Sequence, residues 1–568
     1  MKIQSIGLAL LTLAVPSLAQ QQAALHANDA AGRDFFAQNV CISGGTIISG
    51  SSHDNITSAD QGSAYIFVGS GSSWNQQAKL IPLDPATKAH FGASVAISGD
   101  TAVIGSPDTF LTTQGASQGA AYVFVRSGTT WSQQAKLTAN DAAIHDMLGY
   151  SIAIDADTVA VGVPFRDDQG VDSGGVYVFV RSGTTWSQQA KLLATGGAIG
   201  DQFGSSLSLQ GDTLVVGVPK RDGAEPDMGC AYVFTRSGTS WPQQAILTAS
   251  DAAVGDGFGR AVCVSGDVLV LGANQKDEHG IDSGAAYVFS RSGTVWTQQA
   301  KLVPGDGLSF ASFGRAVSIV SGTILVGACQ DRVTGPSSGS VYVFVGAGAT
   351  WTQASKFISA SSAAGDFFGS SVSLSGATAA VGSPFSDEAG PNTGTAYVFG
   401  ITPPGAPFCA GDGSLATACP CGNSGVAGRG CNNSVGTGGA WLSSTGLASL
   451  SADSVCLQSA GELPSASTVF LQGSTAVGAG IVFGDGVRCV GGALKRIGIH
   501  GASAGSVSYP IAGDTSISAR SAILGNPILP GQARYYQAYY RDPNPAFCPN
   551  PPGNGWNVSS GQIVTWWP

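Results

Sequence analysis

The chain has 568 residues, of which only 11% are charged, with 81 glycines and a formal net charge of −10. Phosphate binding needs clustered Lys and Arg, so this balance argues against a nucleic-acid partner. Low charge combined with 10 Trp, 13 Tyr and 24 Phe points to packed cores rather than a disordered chain.

Residues 1–19 read as a secretory signal peptide: Met1-Lys2, an apolar run from Ile6 to Val15, and Ser17-Leu18-Ala19 as a small-residue cleavage site. No Cys follows to carry a lipid, and no other run reaches the roughly 18 apolar residues of a membrane span. The expectation is a secreted or cell-surface monomer, freed by cleavage near Ala19.

From there one unit recurs seven times. It opens on Phe36-Ala37, Phe91-Gly92, Leu148-Gly149, Phe203-Gly204, Phe258-Gly259, Phe313-Gly314 and Phe368-Gly369. It closes on aromatic triplets beginning at Tyr65, Tyr122, Tyr177, Tyr232, Tyr287, Tyr342 and Tyr397. The period is 55 residues with one step of 57, the extra length falling around Leu111–Ser117. So regular a period marks stacked units that cannot bury their apolar faces alone. Each unit holds four short runs rich in Val, Ile, Leu and aromatics, bounded by Gly, Asp, Ser or Pro. Four strands per unit and seven units predict an all-β, seven-bladed propeller. Trp74, Trp131, Trp186, Trp241, Trp296 and Trp351 head the fourth run, but no such Trp follows Phe399. The missing run is matched by Gln21-Gln-Ala-Ala-Leu25, which predicts that the N-terminus supplies the outer strand of blade seven.

Just past the second run stand Gly105-Ser-Pro107, Gly162-Val-Pro164, Gly217-Val-Pro219 and Gly382-Ser-Pro384, with relaxed forms at Gly272-Ala-Asn274 and Gly327-Ala-Cys329. Together with the Phe-Gly openers, these resemble the FG-GAP repeat of integrin α-subunits and many secreted bacterial proteins. The resemblance covers residues 20–400 and implies a seven-bladed propeller and, by analogy, binding or adhesion. One departure matters. Integrin-type calcium loops lie between the first and second strands, where this chain has only tight turns such as Ser98-Gly-Asp100 and Asp155-Ala-Asp157. Calcium wants six to eight oxygens, so integrin-type sites are expected to be absent and no cofactor is implied.

Acidic residues gather instead in the loops after strand two: Asp167, Asp168 and Asp172; Asp222, Glu225 and Asp227; Asp277, Glu278 and Asp282; Asp387 and Glu388. Inter-blade loops on the same face add Asp141, Asp146, Asp251, Asp256, Asp306 and Asp366, while Arg126, Arg181, Arg236 and Arg291 lie opposite. Asp is a standard turn residue, which explains these positions structurally. The functional alternative is a face for a basic partner or weakly held calcium, with Asp167, Asp168, Asp172, Asp222, Asp227, Asp277, Asp282 and Asp387 as ligand-binding candidates.

Catalytic patterns are poorly supported. Gly501-Ala-Ser503-Ala-Gly505 matches G-x-S-x-G, but extended residues follow where a helix is needed and no His lies downstream. Gly335-Pro-Ser337-Ser-Gly339 is a second match inside a loop. The histidines His26, His53, His90, His145, His279 and His500 show no metal-ligand spacing. A carboxylate pair from different blades is left open.

A Pro-rich linker at 401–408 leads to a Cys-rich β domain over 409–568, read as sandwich-like. Its cysteines, Cys409, Cys419, Cys421, Cys431, Cys456, Cys489 and Cys548, are disulfide candidates with one left over. Cys41, Cys230, Cys263 and Cys329 in the repeats read as buried free thiols. Tyr535-Tyr536, Tyr539-Tyr540 and Trp566-Trp567 suit either core strands or sugar stacking. The expectation is an exported, non-enzymatic binding or adhesion protein presenting an acidic loop face to a protein or polysaccharide. The alternatives are a polysaccharide-acting enzyme with carboxylates at the propeller mouth, or a structural surface component.

Overall fold

A computed structural model describes residues 19–109, 117–401, 407–409, 419, 424–425, 429–445, 453, 455–483, 486–511, 513–529, 532–542 and 556–566. The signal segment before Ala19, residues 110–116 within the 57-residue step, residues 402–406 of the linker, Cys421, Cys548 and Trp567 lie outside them. The chain divides into two compact units, residues 19–401 and residues 402–568 together with 1–18.

The first unit is seven four-stranded antiparallel sheets. Blade three is representative, with Ser151–Asp155 innermost, then Thr158–Val163, Gly175–Ser182 and Thr185–Leu192 outermost. Innermost strands touch in sequence order, and Ser371–Ser375 of blade seven meets Val40–Ser43 of blade one, which closes the ring. Ala19–Leu25 pairs antiparallel with Thr395–Ile401, from Leu25 opposite Ala396 to Ala19 opposite Ile401. The N-terminal segment is thus the outer strand of blade seven.

The repeated sequence signature is explained by how one blade enters the previous one. The amide of each opener residue, from Phe36 to Phe368, donates to a carbonyl just before the third strand of the preceding blade at 2.9–3.2 Å. Phe36 donates to Thr393 across the closure point at 3.0 Å, so the ring has no odd joint. The inserted backbone lies against the second-strand glycine of the preceding blade. A Cβ on Gly50, Gly105, Gly162, Gly217, Gly272, Gly327 or Gly382 would fall well inside contact with the next opener's carbonyl. The Phe rings then pack edge-to-face on the Tyr and Phe of their own triplet, as Phe91 does on Tyr122 at 5.4 Å and Phe124 at 6.1 Å. All seven triplet tyrosines are essentially fully buried.

A second lock spans blades two to five on the opposite face. Arg126, Arg181, Arg236 and Arg291 donate through Nε to Asp100, Asp157, Asp212 and Asp267 in the turns after the innermost strands, at 2.6–2.8 Å. Their Nη1 atoms reach Thr46, Thr101, Thr158 and Thr213 of the previous blade at 2.9–3.2 Å. Each guanidinium also lies 5.1–5.3 Å above the centre of the Trp ring in its own hairpin. Those Trp Nε1 atoms donate to Gln77, Gln134, Gln189 and Gln244 of the previous blade at 2.7–2.9 Å. Where the Arg becomes Gly69, Gly346 or Ile401, the Asp becomes Gly45, Gly322 or Ala377. The pair is present or absent as one.

The second unit has a five-stranded sheet running Pro407–Cys409, Trp556–Thr565, Ala533–Arg541, Ser467–Gly473 and Lys495–Gly501. A three-stranded sheet of Trp441–Thr445, Cys456–Ala460 and Ser506–Tyr509 packs on it through Leu442, Leu457, Phe470, Tyr536 and Trp566. One helix, Ile517–Ile523, departs from the all-strand expectation for this region. Ser516 precedes it, Ile517 and Ser521 face inward one turn apart, and Gly525 follows with φ +70°. Cys419 and Cys431 are disulfide-bonded, and Cys489 is also in a disulfide. Cys456, one of the disulfide candidates, is a free thiol, as an odd count requires of at least one. The four propeller cysteines are free, but Cys41 and Cys263 on innermost strands are only partly buried, because that edge borders the axis.

Removing residues 19–25 strips the outer strand from blade seven and exposes the Thr395–Ile401 edge. The truncated ring is expected to melt more than about 10 °C lower, with recovery on adding the peptide, measured by differential scanning calorimetry.

Candidate functional site

The loop face carries two kinds of residue, those that build the turns and those that the turns present. The acidic candidates fall largely in the first group. Asp167, Asp222, Asp277 and Asp387 accept the backbone amides of Asp172, Asp227, Asp282 and Asn392 at 2.7–3.0 Å. Asp172, Asp227 and Asp282 have φ of +54°, +50° and +51°, a left-handed conformation that Asp and Asn adopt most readily after Gly. Their carbonyls in turn accept amides of the next blade, as in Gln202 to Asp172 at 3.0 Å and Ser312 to Asp282 at 3.1 Å. Asp168 is held by Arg166 at 2.9 Å and by Lys191.

The inter-blade acids are occupied too. Asp141, Asp251 and Asp306 bind Lys191, Lys301 and Lys356 at 2.6–2.8 Å and accept the hydroxyls of Tyr177, Tyr287 and Tyr342. Burial opposes ionisation of Asp141 and Asp251, but hydrogen bonds from Lys and Tyr hold both below the ordinary carboxylate range. Asp146, Asp256 and Asp366 cap backbone amides three residues upstream at 2.6–2.8 Å. Much of the acid on this face is therefore neutralised or hydrogen-bonded in place.

The second group lines the inner mouth of the ring. In every blade the residue before the opener is left-handed: Phe35, His90, Met147, Gln202, Gly257, Ser312 and Phe367, with φ from +50° to +63°. Six of the seven are not glycine, and such strain marks positions the surrounding structure over-determines. The second presented position is two residues past the second-strand Gly-x: His53, Asp108, Phe165, Lys220, Gln275, Gln330 and Phe385. These two positions meet. Phe35 packs edge-on against His53 at 4.9 Å and Phe385 at 5.1 Å, and Phe367 meets Phe385 at 5.2 Å. His53 and His90 lie 4.9 Å apart, and His90 Nδ1 is 2.7 Å from Asp108. Burial, with the neighbouring His90 charge, lowers the His53 pKa below its ordinary value. Ser312 Oγ donates to Gln330 at 3.2 Å in blade six, and Tyr150 meets Phe165 at 5.8 Å in blade three. The sequence reading names the mouth only as a place for carboxylates, and shows neither the His53–His90 contact nor the aromatic lining. The signal was the variability of one position immediately before an otherwise constant opener.

Both G-x-S-x-G matches are turns. Ser503 and Ser506 exchange backbone hydrogen bonds around left-handed Ala504 and Gly505, a two-residue hairpin with no nucleophile elbow. Ser338, beside Ser337 in the other match, donates to the Asp331 carbonyl within its loop. Among the described residues, no group of three or more His, Cys, Asp or Glu is arranged to hold a metal ion. In the second unit Tyr536, Tyr540 and Trp566 are buried, whereas Tyr539 stacks on Trp556 at 4.8 Å and 11°.

The FG-GAP repeat family profile matches residues 19–67, 74–124, 131–179, 186–234, 241–289, 296–344 and 351–399. The chain belongs to the FG-GAP repeat family. Seven matches coincide with seven blades, and such propellers are in general binding or structural modules. Among solved structures, the WD40 domain of Neurospora crassa Pan2 is similar with a TM-score of 0.41 at 10% identity, covering 67% of this chain and 95% of that one. No curated protein matches significantly. No helix among the described residues is long and apolar enough to cross a membrane.

Asp34 provides a pH test of this face. It is 2% exposed, and its Oδ2 accepts the Ala31 amide at 2.7 Å while Oδ1 has no partner. Burial, reinforced by the Asp54 charge, raises its pKa to about 6. A raised carboxyl pKa makes the folded state hold a proton that the unfolded chain releases, so stability falls as pH climbs from about 4 to 6. Asp34→Asn keeps an acceptor for Ala31 and is expected to raise Tm by a few degrees at pH 7.5. The gain should shrink to nothing near pH 4 in melts across that range.

Proposed function

We propose that this chain is an exported, non-catalytic binding protein whose recognition surface is the loop-bearing face of the propeller, centred on the mouth. The observation that carries this reading is the contrast between an invariant frame and varied side chains. Seven equivalent left-handed positions present Phe, His, Met, Gln, Gly, Ser and Phe on one backbone geometry. Rigid scaffolds with variable loops are the usual arrangement for recognition. Aromatic residues concentrated in blades seven, one and three supply rigid contact area of the kind found in binding hot spots. The partner is a protein or a polysaccharide. Exposed Asp167, Asp222, Asp277 and Asp387 add negative charge to the rim, each having given one oxygen to its own turn. No cofactor is required, and calcium would act at most weakly through these rim acids.

Mature protein run against soluble polysaccharides and pull-down protein libraries is expected to show saturable retention without release of reducing ends. Retention should persist in EDTA. A variant carrying Phe35→Ala, His53→Ala and Phe367→Ala should lose retention at least tenfold. Release of reducing ends, or retention unaffected by the triple variant, would overturn the reading.

A further inference from the structure

Most cations of the blade bodies are spoken for. Lys79, Lys136, Lys191, Lys301 and Lys356 each bind an inter-blade Asp, and Arg166 is surrounded by Asp141, Asp146 and Asp168. Arg260 and Arg315 stand outside this scheme. They occupy equivalent positions in adjacent blades five and six, immediately after the opener glycines Gly259 and Gly314. Their backbones are pinned: the Arg260 amide donates to Gly257 and Gly272 at 3.1 and 3.2 Å, and the Arg315 amide to Ser312 at 3.1 Å. Both are partly buried, and among the described residues neither guanidinium has a carboxylate within ion-pair distance.

Their surroundings supply no compensating charge. The equivalent residues of the other blades are Gln38, Ala93, Tyr150, Ser205 and Ser370, none of them acidic. Arg315 lies on the innermost strand of blade six, Phe313–Val320, and Arg260 immediately precedes that of blade five, Ala261–Ser265, so both border the axis. The groups acting electrostatically on Arg315 are Arg260, the Cys329 thiol of its own blade and the Tyr150 phenol of blade three. Burial and then the Arg260 charge pull the Arg315 guanidinium below its ordinary pKa. An unpaired, partly dehydrated guanidinium is unfavourable, and two adjacent ones more so. The planar fork of Arg matches carboxylate, sulfate and phosphate, and an oxyanion between the two would cancel the repulsion.

We propose that Arg260 and Arg315 form an oxyanion site in the channel mouth that takes one carboxylate, sulfate or phosphate group. This deepens the binding reading above by naming the chemistry of its ligand. The exposed rim acids Asp222 and Asp277, in blades four and five, disfavour a polyanion lying across the face. A single anionic group entering end-on avoids them. It reaches the guanidiniums either as a free inorganic ion or as the acidic group of a sugar, whose ring then faces the aromatic side of the mouth.

The experiment uses the mature full chain at constant ionic strength, titrated calorimetrically with sulfate, phosphate, glucuronate and glucose, with chloride as the balancing ion. Saturable binding of at least one oxyanion, and none of glucose, is expected. Arg260→Gln and Arg315→Gln should each weaken it at least tenfold, while Arg260→Lys and Arg315→Lys retain part of it. Both Gln variants should melt no lower than the parent, since each removes an uncompensated charge. Should either fail to fold, protection of Arg260 and Arg315 from phenylglyoxal by the bound anion, read by peptide mass spectrometry, replaces it. Tighter glucuronate than inorganic binding identifies a sugar-borne group, and the reverse identifies a free ion. Equal responses to chloride, or binding unchanged by both Gln variants without protection, would overturn the site. Loss of this site with retention on polysaccharide or protein intact would leave the broader binding reading standing. The converse result would sink that reading alone.

Discussion

The structure depends on one close approach, repeated seven times: the opener backbone of each blade lies inside the blade before it. Its amide is accepted by the carbonyl that precedes the third strand, and its own carbonyl occupies the space a Cβ would fill on the second-strand glycine. Both elements of the sequence signature follow from this contact. The opener glycine must accept a left-handed backbone, as Gly92 does at φ +97°. The second-strand glycine must present no side chain at all. Because the same contact joins Phe36 to Thr393, the ring closes by repeating its internal joint, and the N-terminal strand adds the missing fourth strand of blade seven. Propellers avoid exposed edges in this way without a special cap.

Charge is handled locally. On one face the Arg–Asp pairs of blades two to five bridge to the previous blade through Thr and stack on Trp. On the other, Lys–Asp–Tyr clusters lie beneath the inter-blade loops. One buried position shows how flexible this balance is. It is Asp54 in blade one, bound to Lys79 at 2.7 Å, and Asp331 in blade six, bound to Lys356 at 2.8 Å. In blade three it is Arg166, and in blade five Lys276, each with Asp partners. In these four blades the sign inverts while each charge keeps an opposite partner, whereas Arg221 at the same position of blade four has no carboxylate within ion-pair distance among the described residues. Against that background, Arg260 and Arg315 at the mouth have no acidic partner among the described residues, an absence that a ligand would explain.

Much of the fold was legible in the sequence because it is written seven times. Strand number, blade number and the closing strand all follow from the period and from one missing Trp run. The role of Asp100, Asp157, Asp212 and Asp267 was half visible: their turns are too short for calcium, yet their partnership with Arg shows only when their joint loss from three blades is compared. The loop acids were ambiguous for a physical reason. Asp is both a metal ligand and the residue that best tolerates a left-handed turn, so Asp172, Asp227 and Asp282 look alike under either use. The lining of the mouth was hidden because its residues share a position and not a chemistry. Repeat comparison discards such positions as noise, although recognition resides there. The helix Ile517–Ile523 was missed since seven residues hold too few turns to show a period among Ser and Ala.

The most direct test of the account is a pair of substitutions within blade three. Gly162 sits against the Gly204 carbonyl, whereas the nearest atom to a Cβ on Gly175 is 3.6 Å away on Leu193. Blades two and five already carry Ala120 and Ala285 at the position of Gly175. If insertion of the opener governs stability, Gly162→Ala should lose about 3 kcal/mol or more in denaturant melts, and Gly175→Ala less than about 1 kcal/mol. Equal, small losses from the two would contradict it.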